Sequence, residues 1–287
     1  MYTILAMSLN LVTGYCGLIS LAHAAYYAIG AYAYALGTVA FDLSFIPAVL
    51  LGIAAACLLS LAVSVPSWRF KGDYFILVSL IVQALVFGAL FNWRSTPSEL
   101  GTWANLTNGP FGIAGIPRPV ILGYAFDTRS SLCVLSLVIA AACGIVCWIL
   151  VRSPWGRLLK ALRDDELAAK GLGKNTRLAK VQVFAVACGL AAVSGAIYAS
   201  YVRYIDPSSA SFDESVLMLC MVLVGGLGNL RGPILGAAVL LAIPEALRFA
   251  SIPASLAPDL RLMAYGLLLI LMAHFRPQGL AGVYRLR

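Results

Sequence analysis

The segment Arg152-Ser-Pro-Trp-Gly-Arg-Leu-Leu-Lys-Ala-Leu-Arg-Asp-Asp-Glu-Leu-Ala-Ala-Lys-Gly-Leu-Gly-Lys-Asn-Thr-Arg-Leu-Ala-Lys180 decides how the rest of the chain folds. Its 29 residues hold 8 of the 20 basic residues and 3 of the 12 acidic ones, so net +5 of the chain's +8 is concentrated there. An island of charge between long apolar runs cannot lie in hydrocarbon. It must sit in water, and short loops rich in Lys and Arg stay on the cytoplasmic side of a membrane.

Outward from the island, Ser130–Val151 and Val181–Val202 contain no charged residue. The same holds for Ser44–Ser67, Tyr74–Trp93 and everything between Met1 and Phe41. Each run can reach the roughly 20 residues of a helical bilayer crossing. The chain is 61% apolar and 11% charged, against about 25% charge in a soluble domain. These observations predict an all-α membrane protein, a polytopic helical bundle of about 8–9 transmembrane segments. One transmembrane domain is expected over 1–287, with a water-soluble inner loop at 152–180 and an outer loop at 94–129. The outer loop is broken by Pro97, Pro110, Pro117 and Pro119 and by five glycines, too often for one helix. The basic excess follows from the inner-loop bias, so no nucleic-acid partner is expected. Arg276, Arg285 and Arg287 place the C-terminus on the same inner side.

Seven cysteines lie in apolar segments and none forms Cys-x-x-Cys. They read as small buried hydrophobes, with no disulfide framework and no metal site. The first 40 residues lack a basic leader and do not read as a signal peptide.

Two apolar segments are broken by glycine. Tyr2–Thr13 stops at Gly14 and Gly17, and Ile19–Ala40 is expected to resume as helix. Phe212–Val224 stops at Gly225-Gly226-Leu227-Gly228-Asn229-Leu230-Arg231-Gly232-Pro233, and Ile234–Ile243 resumes before Pro244-Glu245 interrupts it. Gly17–Leu21 can be laid on Gly226–Leu230. Corresponding broken segments in two halves point to a transporter repeat; chance likeness in Gly/Leu-rich sequence is the rival. The segment count gives both copies the same orientation, whereas an inverted repeat needs one crossing more or fewer.

Within the island, Ser153 can cap a helix and Pro154 suits its first position. Trp155, Leu158, Leu159 and Leu162 recur on one face, while Arg157, Lys160, Arg163 and Asp164 lie elsewhere. Glu166 and Lys170 form an i, i+4 pair, and Gly171 and Gly173 stop the helix. Such a helix either lies on the lipid surface or is a knob that docks into another protein.

Glu166-Leu-Ala168-Ala169-x-x-x-Gly173 resembles the Glu-Ala-Ala-x-x-x-Gly coupling loop of ABC importer permeases. Ser8–Tyr32, Leu106–Ile113, Trp155–Asn175 and Ile205–Arg248 together resemble one family, the LivM-like permeases of branched-chain amino acid ABC importers. The chain departs from the family at Ala22, where Gly is usual, and at Ile19, near a usual Gln. It also begins almost at the family's second helix.

The resemblance implies a permease of the bacterial inner membrane with no catalytic residue and no ATPase activity of its own. ATP and Mg²⁺ would be bound by two ATP-binding cassette partners; a sister permease, making a heterodimer, and an external binding protein would complete the importer, set in membrane lipid. The residues agree: Gly171-Leu-Gly173-Lys174-Asn175 only superficially resembles a phosphate loop, having Ala168 for the first Gly and Asn for the Ser or Thr that reaches Mg²⁺. Trp155, Leu158, Leu162, Arg163, Asp164, Glu166, Ala168, Ala169 and Gly173 would couple to the ATPases. Asn10, Ser20, His23, Tyr26, Gly225, Gly226, Gly228 and Asn229 are candidates for lining the translocation route.

Each candidate has a plainer reading. Asn10 and Ser20 can simply bond across helices. A lone His on an apolar stretch is more often a packing residue than a ligand, and the tyrosines suit packing too. Glu245 and Arg248, one turn apart, suit an interfacial pair, and Thr107-Asn108-Gly109-Pro110 suits a tight turn. Permeases of the same family for urea, short amides or other small polar solutes share these motifs. A secondary transporter or channel would need an intramembrane acid or base, and Glu245 is the one acid well inside an apolar segment. A membrane enzyme would need a metal or nucleophile cluster, which the residues do not supply.

Overall fold

The computed structural model describes residues 1–70, 72–95, 98–121, 123–249, 256–276 and 278–282. Eleven α-helices are present among them: α1 (Tyr2–Asn10), α2 (His23–Val39), α3 (Phe45–Ser64), α4 (Asp73–Asn92), α5 (Arg129–Arg152), α6 (Pro154–Asp164), α7 (Glu166–Gly171), α8 (Thr176–Val202), α9 (Phe212–Gly225), α10 (Arg231–Phe249) and α11 (Ala257–Phe275). Among the described residues four helical stretches are individually long and apolar enough to cross a bilayer: Phe45–Trp68, Asp73–Asn92, Arg129–Arg152 and Thr176–Val202. The bundle is a helical membrane protein, as its hydropathy requires.

α8 is the central post. Its 27 residues span about 40 Å at 1.5 Å per residue, and 72% of its most apolar window is buried within the chain. Small residues let its neighbours approach closely. A Cβ placed on Gly195 would fall 2.1 Å from the Tyr27 carbonyl oxygen, and one on Gly30 would fall 2.3 Å from Ala192 Cα. By contrast α5 has only 11% of its window buried and α4 only 28%, so most of their surface faces outward from this chain.

α6 and α7, with their Lys and Arg, form the basic end of the bundle. The 94–129 loop lies at the other end, where a 3₁₀ turn at Gly109–Phe111 and paired two-residue strands organise it; no α-helix lies among its described residues before α5 begins at Arg129. The strand Ile113–Ala114 pairs antiparallel with Tyr204–Ile205, the segment that follows α8. Buried Ile113 and Ile205 hold the loop down. Asn108, in the left-handed region at φ 59°, donates from Nδ2 to the Gly112 carbonyl at 2.9 Å, so Thr107–Pro110 is a tight turn.

Several boundaries differ from the sequence reading. Helix does not resume at Ile19: π-helix covers Leu11–Tyr15, the chain is irregular to Ala22, and α2 starts at His23. The island is two helices, because Asp165 is extended (φ −156°, ψ 106°) and its Oδ1 accepts from Leu167 N at 2.8 Å and Ala168 N at 3.0 Å, capping α7. α10 begins at Arg231 rather than Ile234 and runs through Pro244. The Arg248 side chain and residues Arg285 and Arg287 lie outside the described residues, and so does the Glu245–Arg248 pairing.

α1 and α9 run side by side in the same direction. Tyr2 Oη at the start of α1 donates to Glu214 Oε2 at 3.4 Å, and Asn10 at its end meets the turn after α9. Both glycine breaks therefore lie at the basic end, with the common orientation expected from the segment count.

Candidate functional site: the coupling loop and the broken helices

α6 starts as its sequence dictates. Ser153 is extended and Pro154 occupies the first turn. The Ser153 hydroxyl accepts from Gly156 N at 3.4 Å. Its apolar face turns into the bundle: Leu159 and Leu162 are buried, and Trp155 and Leu158 pack on the same cluster. Trp155 Nε1 donates to Gln182 Oε1 on α8 at 3.1 Å. The chain's own helices cover Leu159 and Leu162 of that face fully and Trp155 and Leu158 in part. Outward lie Arg157, Lys160, Asp164, Ala168 and Gly173, with Leu167 and Leu172 at 71% and 78% exposure. These two leucines were not singled out in the sequence, where any Leu in an amphipathic helix reads as core.

Two further polar links among the described residues tie the loop to the membrane helices. Arg163 donates from Nη1 to the Gly14 carbonyl at 2.8 Å and from Nε to Asp164 Oδ1 at 3.1 Å. Gly14 lies in the π-helical turn, the first glycine break. The second link starts at half-buried Glu166. It pairs with Lys170 at 3.1 Å and with buried Lys180 of α8 at 3.2 Å. Lys180 Nζ in turn donates to the Ser67 carbonyl at 3.0 Å, in the turn between α3 and α4. Ala169 is buried beneath α7.

The two breaks touch. Asn10 donates from Nδ2 to the Asn229 carbonyl at 3.0 Å, and its Oδ1 accepts from Gly228 N at 3.3 Å. Asn229 donates from Nδ2 to Ala281 O at 3.0 Å. Gly225 and Gly226 are buried in the α9–α10 hairpin, where a Cβ on Gly225 would fall 2.0 Å from Gly232 O. Asn10 and the Gly228-Asn229 pair, far apart in sequence, thus form one junction.

Ser20, His23 and Tyr26 belong to a second junction, half-way along the bundle. α2 starts there without a cap of its own, because Ala22 precedes it. Its first amides find acceptors on other helices: Ala24 N donates to Ser215 Oγ at 3.1 Å and Ala25 N to Gln83 Oε1 at 2.9 Å. Gln83 also donates from Nε2 to the Ala210 carbonyl and, at 3.3 Å, to that of Ser211. Ser211 caps α9, its Oγ accepting from Glu214 N at 3.3 Å. One glutamine thus fastens two helix N-termini together. Ser79 Oγ accepts from Leu21 N at 2.9 Å, and Ser20 Oγ accepts from Ala22 N at 3.4 Å. His23 Nε2 and Ser8 Oγ are 2.7 Å apart, and His23 is buried. Tyr26 is fully buried, and its hydroxyl makes no hydrogen bond among the described residues. Gln83, Ser79 and Ser215 were missed in the sequence. Gln83, the one amide in the charge-free run before Asn92, was the available signal.

Beside this junction an open cavity of about 400 Å³ is lined by Leu80, Gln83, Ala84, Phe87, Ala210, Ser211 and Phe212. It lies on the outward face of α4 and α9. Among the described residues no group of three metal-ligating side chains occurs.

A family profile described as the permease component of branched-chain amino acid transport systems matches residues 1–273. The chain belongs to this family of ABC-type permeases. It is 30% identical to the high-affinity branched-chain amino acid transport system permease protein LivM of Escherichia coli, over 99% of this chain and 68% of that one. It is also 28% identical to the autoinducer 2 import system permease protein LsrC of Salmonella paratyphi B, over 72% of this chain and 61% of that one. A probable LivM of Methanocaldococcus jannaschii is 25% identical over 75% of this chain and 61% of that one. No solved structure matches. The chain is thus a multi-pass inner-membrane protein of a family of transporter permease components.

Proposed function

We propose that the chain is the single-domain, membrane-spanning half of an importer for branched-chain or other neutral amino acids, driven by ATP hydrolysis in partner subunits. The partners are a sister permease, two ATP-binding cassette subunits that hold ATP and Mg²⁺, and an external binding protein. The basic end and the C-terminus face the cytoplasm, as the Lys/Arg bias of the α6–α7 loop requires. One observation carries the coupling role, the hydrogen bond from Arg163 to the Gly14 carbonyl. A force applied to α6–α7 reaches the first broken helix through it, and reaches the α3–α4 turn through Glu166, Lys180 and Ser67. The exposed face with Asp164, Leu167, Ala168, Leu172 and Gly173 meets the ATPase, while Trp155, Leu158, Leu162 and Ala169 hold the loop on the bundle.

The substrate reading is supported by LivM likeness and by the cavity beside Gln83. Two helix N-termini, of α2 and α9, converge next to it, and their dipoles favour a carboxylate. Leu80, Ala84, Phe87 and Phe212 supply apolar walls for an aliphatic side chain. The route then passes between this face and the sister permease. Ser20, His23 and Tyr26 back its wall, and Asn10, Gly225, Gly226, Gly228 and Asn229 form its inner closure. The LsrC likeness keeps a small polar solute as the second reading.

The test uses the assembled importer in proteoliposomes with its binding protein. Arg163→Ala is expected to lower ATP-driven leucine uptake about tenfold, the effect of roughly 1.4 kcal/mol, while ATP hydrolysis continues. Uptake equal to wild type would remove the coupling role. Selective stimulation by a non-amino-acid solute would overturn the substrate class.

A further inference from the structure

A second cavity, of about 510 Å³, opens at the basic end between the last turns of α5, the start of α6 and the α9–α10 turn. Arg152, Arg157, Lys160 and Arg231 line it, with Tyr15 and Trp148. No carboxylate is in its lining, and none of the four cations has an ion-pair partner among the described residues. The Arg152 guanidinium lies 4.2 Å from the Trp148 ring centre, and Lys160 Nζ is 5.7 Å from that of Tyr15. Arg157 reaches the Arg152 carbonyl at 3.5 Å. Rings and a carbonyl orient these cations without neutralising them. Four positive charges around one cavity repel unless an anion joins them.

The cavity is also the foot of an apolar stripe. On α5, Leu137, Val138, Ile145 and Ile149 are each more than half exposed and lead down to Trp148. Trp at the end of a crossing marks the membrane–water boundary. A ligand that matches both features has an anionic phosphate group and long apolar chains. We propose that this cavity holds the phosphodiester headgroup of an anionic phospholipid of the inner leaflet, its acyl chains lying along α5. Basic pockets between helix ends on the cytoplasmic side take such headgroups, and Arg pairs bidentately with phosphate oxygens. Because Arg157 and Lys160 belong to α6, the bound lipid braces the coupling helix against α5 and the second break. This rests on the cytoplasmic placement of the basic end.

The test is lipid retention by the assembled importer, which needs neither substrate nor ATP. Complexes from nanodiscs of phosphatidylcholine, with and without phosphatidylglycerol, are stripped with detergent, and co-purifying lipid is measured by native mass spectrometry. Wild type is expected to retain phosphatidylglycerol over phosphatidylcholine, and R152Q/R231Q to retain it about tenfold less. Equal retention of the two lipids by wild type would overturn the proposal without any variant. Undiminished phosphatidylglycerol in R152Q/R231Q would do the same. Inorganic phosphate added to phosphatidylcholine discs should not raise the thermal midpoint. A rise equal to that from phosphatidylglycerol would assign the cavity to a soluble anion instead. Failed retention with intact leucine uptake would sink this inference and leave the transport reading standing.

Discussion

The two glycine breaks look alike in sequence and are built differently. The second is local. α9 and α10 pack as a hairpin whose backbones nearly touch at Gly225 and Gly232, and the Asn229 side chain accepts from Arg231 N at 3.2 Å to start α10 at once. The first is not local. After Tyr15 the chain travels without helix to Ala22, and α2 begins half-way along the bundle with caps from Gln83 and Ser215, 58 and 191 residues away. The first break is also the one that Arg163 holds. A break whose geometry depends on distant partners can be reset by moving them; one fixed by its own contacts moves as a block. The first is therefore suited to respond to the coupling loop, with the second as the surface it works against.

The sharpest way to break this contrast is Gly225→Val. Its Cβ would overlap the Gly232 carbonyl, and neither backbone can yield. A loss on the order of 4 kcal/mol or more is expected, read as failure of the purified complex to assemble. A stable complex with a normal thermal midpoint would show that the hairpin is not sterically fixed. Gln83→Leu strikes the first break instead. It removes one of the two acceptors of Ala25 N, which keeps the Ala22 carbonyl at 3.2 Å, and a donor from the Ala210 and Ser211 carbonyls; the Ala210 carbonyl, left unpaired, costs about 1–3 kcal/mol. The complex should assemble with a lowered thermal midpoint, and uptake should fall more than ATP hydrolysis does. If the two activities fall together, Gln83 is a stability element only.

The same contrast explains what could be read from the sequence. α3, α4, α5 and α8 were legible because an apolar run of crossing length identifies itself. The start of α6 was legible because Ser153-Pro154 is a local signal. The start of α2 was not, since Ala22 gives no sign of a cap and the real acceptors lie on α4 and α9. Pro244-Glu245 reads as an interruption near the end of the segment, yet α10 continues through it; neighbouring groups in a bundle can re-satisfy the backbone that proline frees. In the candidate site, Asn10, Gly228 and Asn229 were chosen for polarity and glycine content, and they do meet. Gln83, which fastens the other junction, carries no such signal, because a single amide in an apolar run has no periodicity. The apolar face of α6 was legible as a face but not as to what covers it, since periodicity shows which side is buried and never against what.

Smaller substitutions sharpen the comparison. Ser215→Ala removes the borrowed acceptor of Ala24 N from a fully buried site. Replacing one hydrogen bond inside a bundle costs about 0.6–1.7 kcal/mol, so a modest drop in thermal midpoint is expected, with a measurable loss of uptake because α2 loosens. An unchanged uptake rate would deny the first break its responsive role.

Asn229→Ala should do least, and the reason follows from which of its atoms matter. The contact across the two breaks uses the Asn229 backbone carbonyl, which Asn10 Nδ2 reaches, and alanine keeps that carbonyl. Only the local cap on Arg231 N and the bond to Ala281 O are lost. The site is half-exposed beside a cavity, so water can replace them. The expected loss is about 0.5–1 kcal/mol, the lower range for a cap, with uptake close to wild type. Asn10→Ala is the matched control, for it deletes both bonds between the breaks from a fully buried position. If Asn229→Ala proved as damaging as Asn10→Ala, the second break would depend on its side chain as the first depends on borrowed ones, and the distinction between them would fail.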